Sequence, residues 1–513
     1  MKANHQSSAA RVHRPLRSIG AGAVLLLAAA APAAAQSEPL AREGQWWRDP
    51  LNLERLITQH PDTPWIGDRV PLAPPPAAEI PNPDRPLTLA ELTDLGLRNN
   101  PQTRLAWQAA RAAAATVGIE LADYSLQASG VLSYVRARQI TQIGAVQPLI
   151  ERYTPTVNLS YALFDFGVRS NQVEAARFNL LAANLSQNRA LQSVAFSVEQ
   201  AYYALLGSEQ LVRSAQVSLR NARTTLEAAE RRRQSGLATI GDVYRAETAV
   251  SQAQLTLQVV QGQAAQARGR LAFAAGLPVT TRYTLAPVPE QLQFAALTES
   301  VSALIERAKN NRPDLIAAEA TARSLAANAR AVAAAGLPSV VATGSYAQNY
   351  FVSRPDTNNW SVGVAVNIPL FTGFRDTYNT RLAEANTERQ RAARDLLSNQ
   401  VELDVWQGYF NLETAATALK TAQSLVRTAA QSLEVAEARY RGGVGSMLDV
   451  ITAQADDVNA RVQQINAQFN WYTAFSQLNF ALGALPVAGA GAGASAPAAL
   501  GPAQPPSLPT QKK

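Results

Sequence analysis

The sequence predicts a mixed fold of two internal structural repeats, each combining very long α-helices with one hairpin of β-strands. Three observations support this prediction. A short phrase occurs twice, 207 residues apart, as SGLATIGDV at 235–243 and GGVGSMLDV at 442–450. Apolar residues recur every seven positions over long stretches without proline, which is typical of coiled-coil helices. Other stretches alternate apolar with polar residues, which is typical of strands.

The chain begins with a segment typical of a secretory signal peptide. Basic residues precede an apolar run that starts near Ala21, and the run ends in alanines before Gln36. We therefore expect residues 1–35 to be removed on export. A membrane anchor is the weaker alternative, because the apolar run is short and rich in alanine.

The composition excludes several classes of function. The chain has no cysteine, and its three histidines (His5, His13 and His60) all lie near its start. Disulfides, thiolate metal sites and histidine bases are therefore excluded from nearly the whole chain, and we expect no enzymatic activity, no cofactor and no metal. The net charge is +7, but four of the basic residues lie in the leader, so no nucleic-acid partner is implied.

Two segments flank the repeats. Residues 36–86 are rich in proline, and we expect an irregular N-terminal arm lying on a surface. Residues 486–513 are mainly Ala, Gly and Pro, and we expect a disordered tail. Repeat 1 is predicted over 87–298 and repeat 2 over 299–485.

The two repeats match along much of their length. Several pairs of phrases share the spacing of 207 residues, and the match continues upstream with slippage. The pairs are AYYAL (201–205) with GYFNL (408–412), LEAAERR (226–232) with LEVAEAR (433–439), LAFAAG (271–276) with LNFALG (478–483), LRNNP (97–101) with KNNRP (309–313), and LFDFG (163–167) with LFTGF (370–374).

A heptad pattern predicts one very long helix in each repeat. Branched apolar residues fall seven apart, and a small residue follows each of them by three positions. The branched positions are Val198, Leu205, Val212, Leu219 and Leu226 in repeat 1, and Val405, Leu412, Leu419, Val426 and Leu433 in repeat 2. No proline interrupts 169–234, so the first helix is predicted to be roughly 100 Å long.

Alternating polarity predicts one strand hairpin over 126–165 and another over 338–371. Their strands have the length of tilted strands in a transmembrane barrel, although an ordinary soluble sheet is the alternative. The predicted signal peptide favours the transmembrane barrel over the soluble sheet. So does the lack of another apolar sheet against which these strands could pack. The strand segments are LQASGVLSYVRA (126–137), TVNLSYALF (156–164), PSVVATGSYAQNY (338–350) and WSVGVAVNIPLF (360–371).

Four strands cannot close a barrel by themselves, since roughly eight are needed before the interior holds side chains. An open sheet would leave backbone groups unpaired in lipid. Several chains must therefore share one barrel, and two, three or four copies all meet this requirement.

These motifs in this order resemble the TolC family of outer-membrane efflux and secretion channels, over about residues 87–485. The resemblance implies a homotrimer, in which a shared transmembrane β-barrel of twelve strands, four from each chain, continues into a long α-helical coiled-coil barrel in the periplasm. It further implies contact with outer-membrane lipid, a periplasmic adaptor protein and an inner-membrane pump, either an ABC transporter or a proton-driven one. The chain would be the passive exit duct for drugs, other small molecules or type I secreted proteins.

The repeated phrase is predicted to form the turn between two helices at the periplasmic tip. Gly236 and Gly443 are expected to end one helix, and Asp242 and Asp449 to cap the next. By resemblance, Asp449 also lines the aperture, and a plain helix cap is the alternative. Some members of the family have a second ring of acidic residues one helical turn later, and this chain has Thr452 at that position.

Two further groups of residues match the family's gate and docking sites. Tyr440 and Asp242 match positions that tie neighbouring hairpins together in the closed state, but Gly445 stands where the family has the joining arginine. Eight tip residues match the surface offered to the adaptor, with a merely tight turn as the alternative. They are Gly236, Leu237, Ala238, Thr239, Gly443, Val444, Gly445 and Ser446. Five nearby arginines, Arg231, Arg232, Arg233, Arg439 and Arg441, are more simply explained as solvated surface.

A different class of function competes with the channel. A structural or signalling coiled coil at the cell surface or in the periplasm would explain the heptads. It would not explain the paired amphipathic strands, and it would form no channel in a lipid bilayer.

Overall fold

The computed structural model describes residues 85–138, 149–286 and 299–484. The leader, nearly all of the N-terminal arm and the C-terminal tail lie outside these residues, so the expectations for those three segments stay predictions. The described part is mainly helical and contains one antiparallel sheet.

The helices of the two repeats have the same lengths in the same order. Helices of 11, 22, 67 and 35 residues occur in repeat 1 and again in repeat 2. They are α1 (Leu89–Asn99), α2 (Pro101–Ala122), α3 (Val168–Gln234) and α4 (Ile240–Ala274), then α5 (Val301–Asn311), α6 (Pro313–Ala334), α7 (Arg375–Arg441) and α8 (Met447–Ala481). The predicted internal repeat is thus visible in the fold.

The heptad pattern marks the buried side of α3 and α7. Val198, Leu205 and Val405 are fully buried, and small residues such as Ala215 and Ala422 lie in the same seams. Small residues allow close approach, as at Gly207, where an added methyl group would lie 3.0 Å from the Phe469 ring. None of the helices in the described residues is both long enough and apolar enough to span a bilayer.

One hydrophobic core joins the repeats. α3 packs along α4 and α7 along α8, while α3 also contacts α6 and α8 of the other repeat. The core takes Leu205 and Leu271 from repeat 1 and Leu304, Val401 and Val405 from repeat 2. The two helical hairpins, α3/α4 and α7/α8, therefore lie side by side.

The strands form a four-stranded antiparallel sheet in the order β1-β2-β3-β4. β2 of repeat 1 pairs directly with β3 of repeat 2, with Leu159 opposite Gly344. In the single chain, β1 and β4 each have one unpaired edge within the described sheet. The strands are β1 (Gln127–Ala137), β2 (Ile150–Phe164), β3 (Ser339–Phe351) and β4 (Thr357–Asn367).

The two largest differences between the observed strands and the alternation in the sequence each involve a proline. β4 ends at Asn367, before Ile368 and Leu370, because Pro369 has no N–H to donate to a ladder. β2 starts at Ile150 and includes Pro155, a residue that argues against a strand. β2 tolerates it because the pairing between β2 and β3 skips residues 154 and 155.

Each long helix starts at a turn in the left-handed region of the backbone. Phe166 and Gly167 have φ of 50° and 94° before α3, and Gly373 and Phe374 have φ of 66° and 63° before α7. A positive φ is unfavourable for phenylalanine, so the surrounding fold must hold these two residues in place. The matching phrases LFDFG and LFTGF therefore encode the same change from strand to helix.

In each repeat, the phrase that ends the helix of 35 residues touches the phrase at the kink between the two short helices. Gly276, which ends the LAFAAG phrase, has φ of 67°, and an added methyl group there would lie 2.7 Å from the Asn99 carbonyl carbon. Gly483 is placed in the same way against Arg312. Arg312 is buried and binds Asp314 at 2.6 Å and Asp404 at 2.7 Å. The Asn-Pro and Arg-Pro kinks of the short helices are thus fixed against the ends of α4 and α8.

Candidate functional site

The candidate site consists of the two helical turns that carry the repeated phrase. α3 ends in a Schellman motif, in which the Leu237 N–H donates to the Arg232 carbonyl at 2.8 Å and the Gly236 N–H to the Arg233 carbonyl at 3.0 Å. Gly236 has φ of 75°, a conformation that glycine adopts without strain.

The turn after α7 repeats this geometry. The Val444 N–H donates to the Arg439 carbonyl at 3.0 Å, the Gly443 N–H donates to the Tyr440 carbonyl at 3.1 Å, and Gly443 has φ of 78°. The predicted role of Gly236 and Gly443 as helix terminators is confirmed.

The next helix at each turn starts with a capping box, and this corrects the expected role of the two aspartates. The N-caps are Thr239 and Ser446, whose hydroxyl oxygens accept from the N–H of Asp242 and Asp449. Each carboxylate in turn accepts from the N-cap N–H at 3.0 Å. The aspartates lie three residues inside the helix, because TIGD and SMLD follow the spacing of a capping box.

The two aspartates differ in their surroundings. Asp449 is exposed, and its hydrogen bonds from the Ser446 backbone and hydroxyl hold the pKa of its carboxyl below the usual range, with a smaller contribution from Arg439. Asp242 is half-buried and lies 3.9 Å from a guanidinium nitrogen of Arg245. The aspartate on the second turn is therefore the more accessible charge.

The tips of the turns present apolar side chains between polar ones. Leu237 is 70% exposed and Val444 is 73% exposed. Thr239 and Ser446 are also exposed, whereas Ala238 and Gly445 are half-buried. Gly445 packs on the end of α7, since an added methyl group would lie 3.0 Å from the Tyr440 nitrogen. A larger residue at position 445 would disturb this turn.

A small hydrophobic cluster brings the two turns together behind these tips. Ala229 and Ala246 of the first hairpin are fully buried against Met447 of the second, with Val243 in the same cluster. Tyr440 packs on its side. Both copies of the repeated phrase thus belong to one local structure within a single chain.

Tyr440 contacts an arginine that the sequence did not single out. The Arg232 guanidinium donates to the Tyr440 carbonyl at 2.7 Å and lies 4.5 Å from the centre of the Tyr440 ring. Burial raises the pKa of the Tyr440 hydroxyl, with opposing effects from Arg232 and Asp242. That hydroxyl has no hydrogen-bond partner among the described residues, so it makes no hydrogen bond to Asp242.

The family model described as outer membrane efflux protein matches residues 92–277 and 304–484, well over half of the chain. The chain belongs to the outer membrane efflux protein family. Each of the two matched segments contains one complete copy of the repeated turn with its capping box. The predictions of a TolC-like fold, an outer-membrane location and a non-enzymatic transport function are confirmed.

Individual members of this efflux family match most of the chain. Protein CyaE of Bordetella pertussis is 28% identical over 76% of this chain and 82% of its own length. The pyoverdine export outer membrane protein OpmQ of Pseudomonas putida is 28% identical over 64% of this chain and 70% of its own. A crystal structure of a membrane protein from Pseudomonas aeruginosa superposes with a TM-score of 0.70 at 26% identity, covering 77% of this chain and 90% of that one.

Proposed function

We propose that this efflux protein is the outer-membrane exit duct of a tripartite export machine, which moves cargo driven by an inner-membrane pump. The observation that carries this proposal is the continuity of the four-stranded sheet with two pairs of long helices in one chain of this family. α3 follows β2 after three residues, and α7 follows β4 after seven. A pore through the sheet would then open directly into a tunnel between the helices.

The free edges of the sheet support a shared barrel in a homotrimer. β1 and β4 are unpaired on one side, and unpaired edges are unfavourable in lipid. The side chains of β4 are exposed on both faces in the single chain, with Val362 at 80% and Trp360 at 74%. Pairing of β1 with β4 of the next chain would satisfy both edges, and three chains would give a closed barrel of twelve strands.

Aromatic residues support a membrane boundary at the change from strand to helix. Phe164 and Phe166 stack edge to face at 4.7 Å, and Phe371 and Phe374 do so at 5.6 Å. All four rings are at least half exposed. Exposed aromatic rings gather where a transmembrane barrel meets the lipid headgroups. The helices would then extend from this level into the periplasm.

The tips of the helical turns are proposed to dock the periplasmic adaptor. Leu237 and Val444 are exposed apolar residues on rigid turns, and each turn is fixed by a Schellman motif and a capping box. A partner helix could cover them without rearrangement of the turns. Replacement of Val444 with Asp should weaken export in cells without loss of assembly, and the same change at exposed Arg233 is the control.

Asp449 is proposed to line the aperture, with Asp242 and Tyr440 behind it. Its exposure and its lowered pKa both fit a carboxylate that stays charged at the mouth of a channel. Three such carboxylates around one axis would favour cations. Position 452 contributes a threonine hydroxyl and no second charge.

The cargo is proposed to be a drug or other small molecule, or a type I secreted protein. The match with a pyoverdine exporter supports the first class, and the duct itself offers no chemical step. The gene for the neighbouring pump, ABC or proton-driven, would identify the class.

Conductance in planar bilayers tests the channel. The purified full-length protein should form stable ion channels when added to one side of a bilayer. A coiled-coil receptor or structural protein would give no channels, which would contradict the proposal.

A further inference from the structure

The two faces of the four-stranded sheet differ in polarity. Trp360, Val362 and Val364 of β4 lie on one face and are well exposed in the single chain. The alternate positions of the same strand hold Asn359 and Ser361. Because apolar side chains face the lipid in a transmembrane barrel, the polar face lines the lumen of the proposed duct.

Hydroxyl and amide groups on this polar face bind one another. The hydroxyl oxygens of Ser345 and Ser361 lie 2.9 Å apart. The Thr154 hydroxyl donates to the Asn349 side-chain oxygen at 3.0 Å. The Asn349 amide in turn donates to the Asn359 side-chain oxygen at 3.1 Å. The wall of the lumen is therefore polar and uncharged along most of the sheet.

Arg152 is the exception on this face. Within β1–β4, it is the only charged residue whose position alternates onto the polar side. It stands two residues before Thr154 on β2, opposite Val135 of β1 and Phe351 of β3. A regular ladder to β1 runs through both positions, so Arg152 and Thr154 share one face.

No carboxylate in the described part of the chain pairs with Arg152. The neighbouring Glu151 lies on the opposite face of the sheet, where it binds Arg136 at 2.7 Å. The Arg152 Nε is buried and has no hydrogen-bond partner among the described residues. The segment 139–148, which connects β1 to β2, has no charged residue in its sequence.

Arg152 lies at the outer end of the barrel. β2 starts at Ile150 and runs toward α3, so position 152 is at the end of the strand away from the helices. On the apolar face at this level, Tyr153 pairs with Tyr134 and Tyr350 in a row of exposed rings across three strands. Such rows mark the surface of the membrane, so Arg152 faces the lumen at the outer membrane surface.

This end of the sheet has an excess of positive charge. The segments 136–152 and 352–356 together carry four arginines and two carboxylates, which leaves a net charge of +2 for each chain. One of these carboxylates, Asp356, accepts the Phe351 N–H at 3.1 Å in the turn between β3 and β4. The surrounding charges therefore add to the positive potential at Arg152.

We propose that the Arg152 side chains of the assembled chains form a positive ring in the lumen at the outer mouth, which favours the exit of cargo that carries carboxylate or phosphate groups. This inference rests on the proposed channel function. A guanidinium binds carboxylate and phosphate through paired, charge-assisted hydrogen bonds. The ring is opposite in sign to the carboxylates proposed at Asp449, so the two mouths of the duct select separately.

Block of single channels by inorganic tripolyphosphate tests the ring. Full-length protein added to one side of a planar bilayer should insert by its sheet, so that the outer mouth opens to the opposite side. Tripolyphosphate on that opposite side should block the wild type, and Arg152→Gln should weaken this block about tenfold. The block should also weaken in 1 M KCl, where the screening length falls to about 3 Å.

Arg136→Gln is the matched control. It removes the same charge at the same end of the sheet, but from the face that points away from the lumen. Its block by tripolyphosphate should stay close to that of the wild type. Equal weakening in Arg136→Gln and Arg152→Gln would show a general surface-charge effect and overturn the ring.

A single introduced cysteine tests the orientation of position 152. The chain has no cysteine of its own, so Arg152→Cys provides one thiol for charged methanethiosulfonate reagents. A trimethylammonium reagent should restore the block and a sulfonate reagent should not, while Val362→Cys on the lipid face should give channels that neither reagent changes. An Arg152→Cys channel that also responds to neither reagent would overturn the lumenal position of this residue.

The outcomes separate the ring from the channel. Wild-type channels without block by tripolyphosphate from the outer side would overturn the ring and leave the channel intact, even if a variant fails to assemble. Equal block of the wild type and Arg152→Gln would do the same. A wild type that forms no channels would overturn the channel itself. Circular dichroism and the oligomer mass of each variant confirm folding.

Discussion

Asp449 and Asp242 have the same structural role in the two turns, yet only one of them is freely accessible. Each closes a capping box through the backbone N–H of a hydroxyl residue three positions earlier. Asp242 is half-buried beside Arg245, whereas Asp449 is exposed. This pair therefore provides a matched comparison between capping alone and capping combined with an aperture charge.

Replacement of Asp449 with Asn should reduce cation selectivity and block by trivalent cations, while helix content changes little. The amide oxygen can still accept the Ser446 N–H, but the charge is gone. Reversal potentials in a salt gradient measure the effect, with Asp242→Asn as the control that should change selectivity less. Equal selectivity in the wild type and both variants would place the aperture elsewhere.

The pH dependence of that selectivity follows from the lowered pKa of Asp449. A carboxyl whose pKa is lowered in the folded protein stays charged as the pH falls past its ordinary pKa of about 3.9. Its capping contribution is likewise fully present above the unfolded pKa and is lost as the pH falls through the folded value. Cation preference should therefore persist in mildly acidic solution and fade only when the pH falls below the range in which an ordinary aspartate becomes protonated.

Gly276 should be less tolerant of substitution than Gly236, although both have positive φ. Gly236→Ala meets no atom within 4 Å and should cost only the backbone strain, about 1 kcal/mol. Gly276→Ala adds a clash at 2.7 Å with the backbone of Asn99 and should destabilise by several times as much. Thermal unfolding followed by circular dichroism should rank the variants in this order. A smaller loss for Gly276→Ala would show that α1 shifts freely.

At the level of elements, the sequence predicted helices more closely than strands. The prediction for 169–234 differs from α3 by one residue, because heptads and the absence of proline act along the whole helix. Strand ends depend on pairing partners, and for β2 and β3 one partner comes from the other repeat. Pro155 is tolerated only because the ladder to β3 is interrupted opposite it, which no local pattern reveals.

The candidate site was predicted as two turns, and the resemblance placed Tyr440 and Asp242 between neighbouring hairpins, but the hydrophobic cluster behind the turns and the contact of Arg232 were not predicted. The glycines and the TIGD and SMLD spacings are local signals, and they identified both turns. Arg232 stands among five arginines that look alike in the sequence, and only packing against Tyr440 distinguishes it. The roles of the tip residues in docking and gating stay predictions.

Glycines within the helices should respond to substitution according to what faces them. Gly262 and Gly269 of α4 face no atom within 4 Å, so Gly262→Ala and Gly269→Ala should each stabilise the helix by about 0.5–1 kcal/mol. Gly207→Ala should destabilise, because its methyl group meets the Phe469 ring at 3.0 Å. Chemical unfolding of the three variants measures the difference. Destabilisation by Gly262→Ala or Gly269→Ala would show that a neighbouring chain packs there.

For the whole molecule, the open sheet predicts a heat-labile trimer in detergent extracts. Each chain contributes four strands with two free edges, and closure of the barrel removes both. Light scattering in mild detergent should give the mass of three chains, and heating should convert the sample to single chains. A monomer under the same mild conditions would contradict the shared barrel.

The equal helix lengths of the two repeats restrict how this protein can change in size during evolution. Both hairpins combine a helix of 67 residues with one of 35, and the two turns lie at the same level. An insertion in one helix would move its turn away from the other and shift every buried residue out of its seam. Tolerated insertions should therefore come in heptads and affect α3, α4, α7 and α8 together. The length of the helical duct is therefore constrained by its own packing. A partner that spans the rest of the periplasm must have a length that matches it.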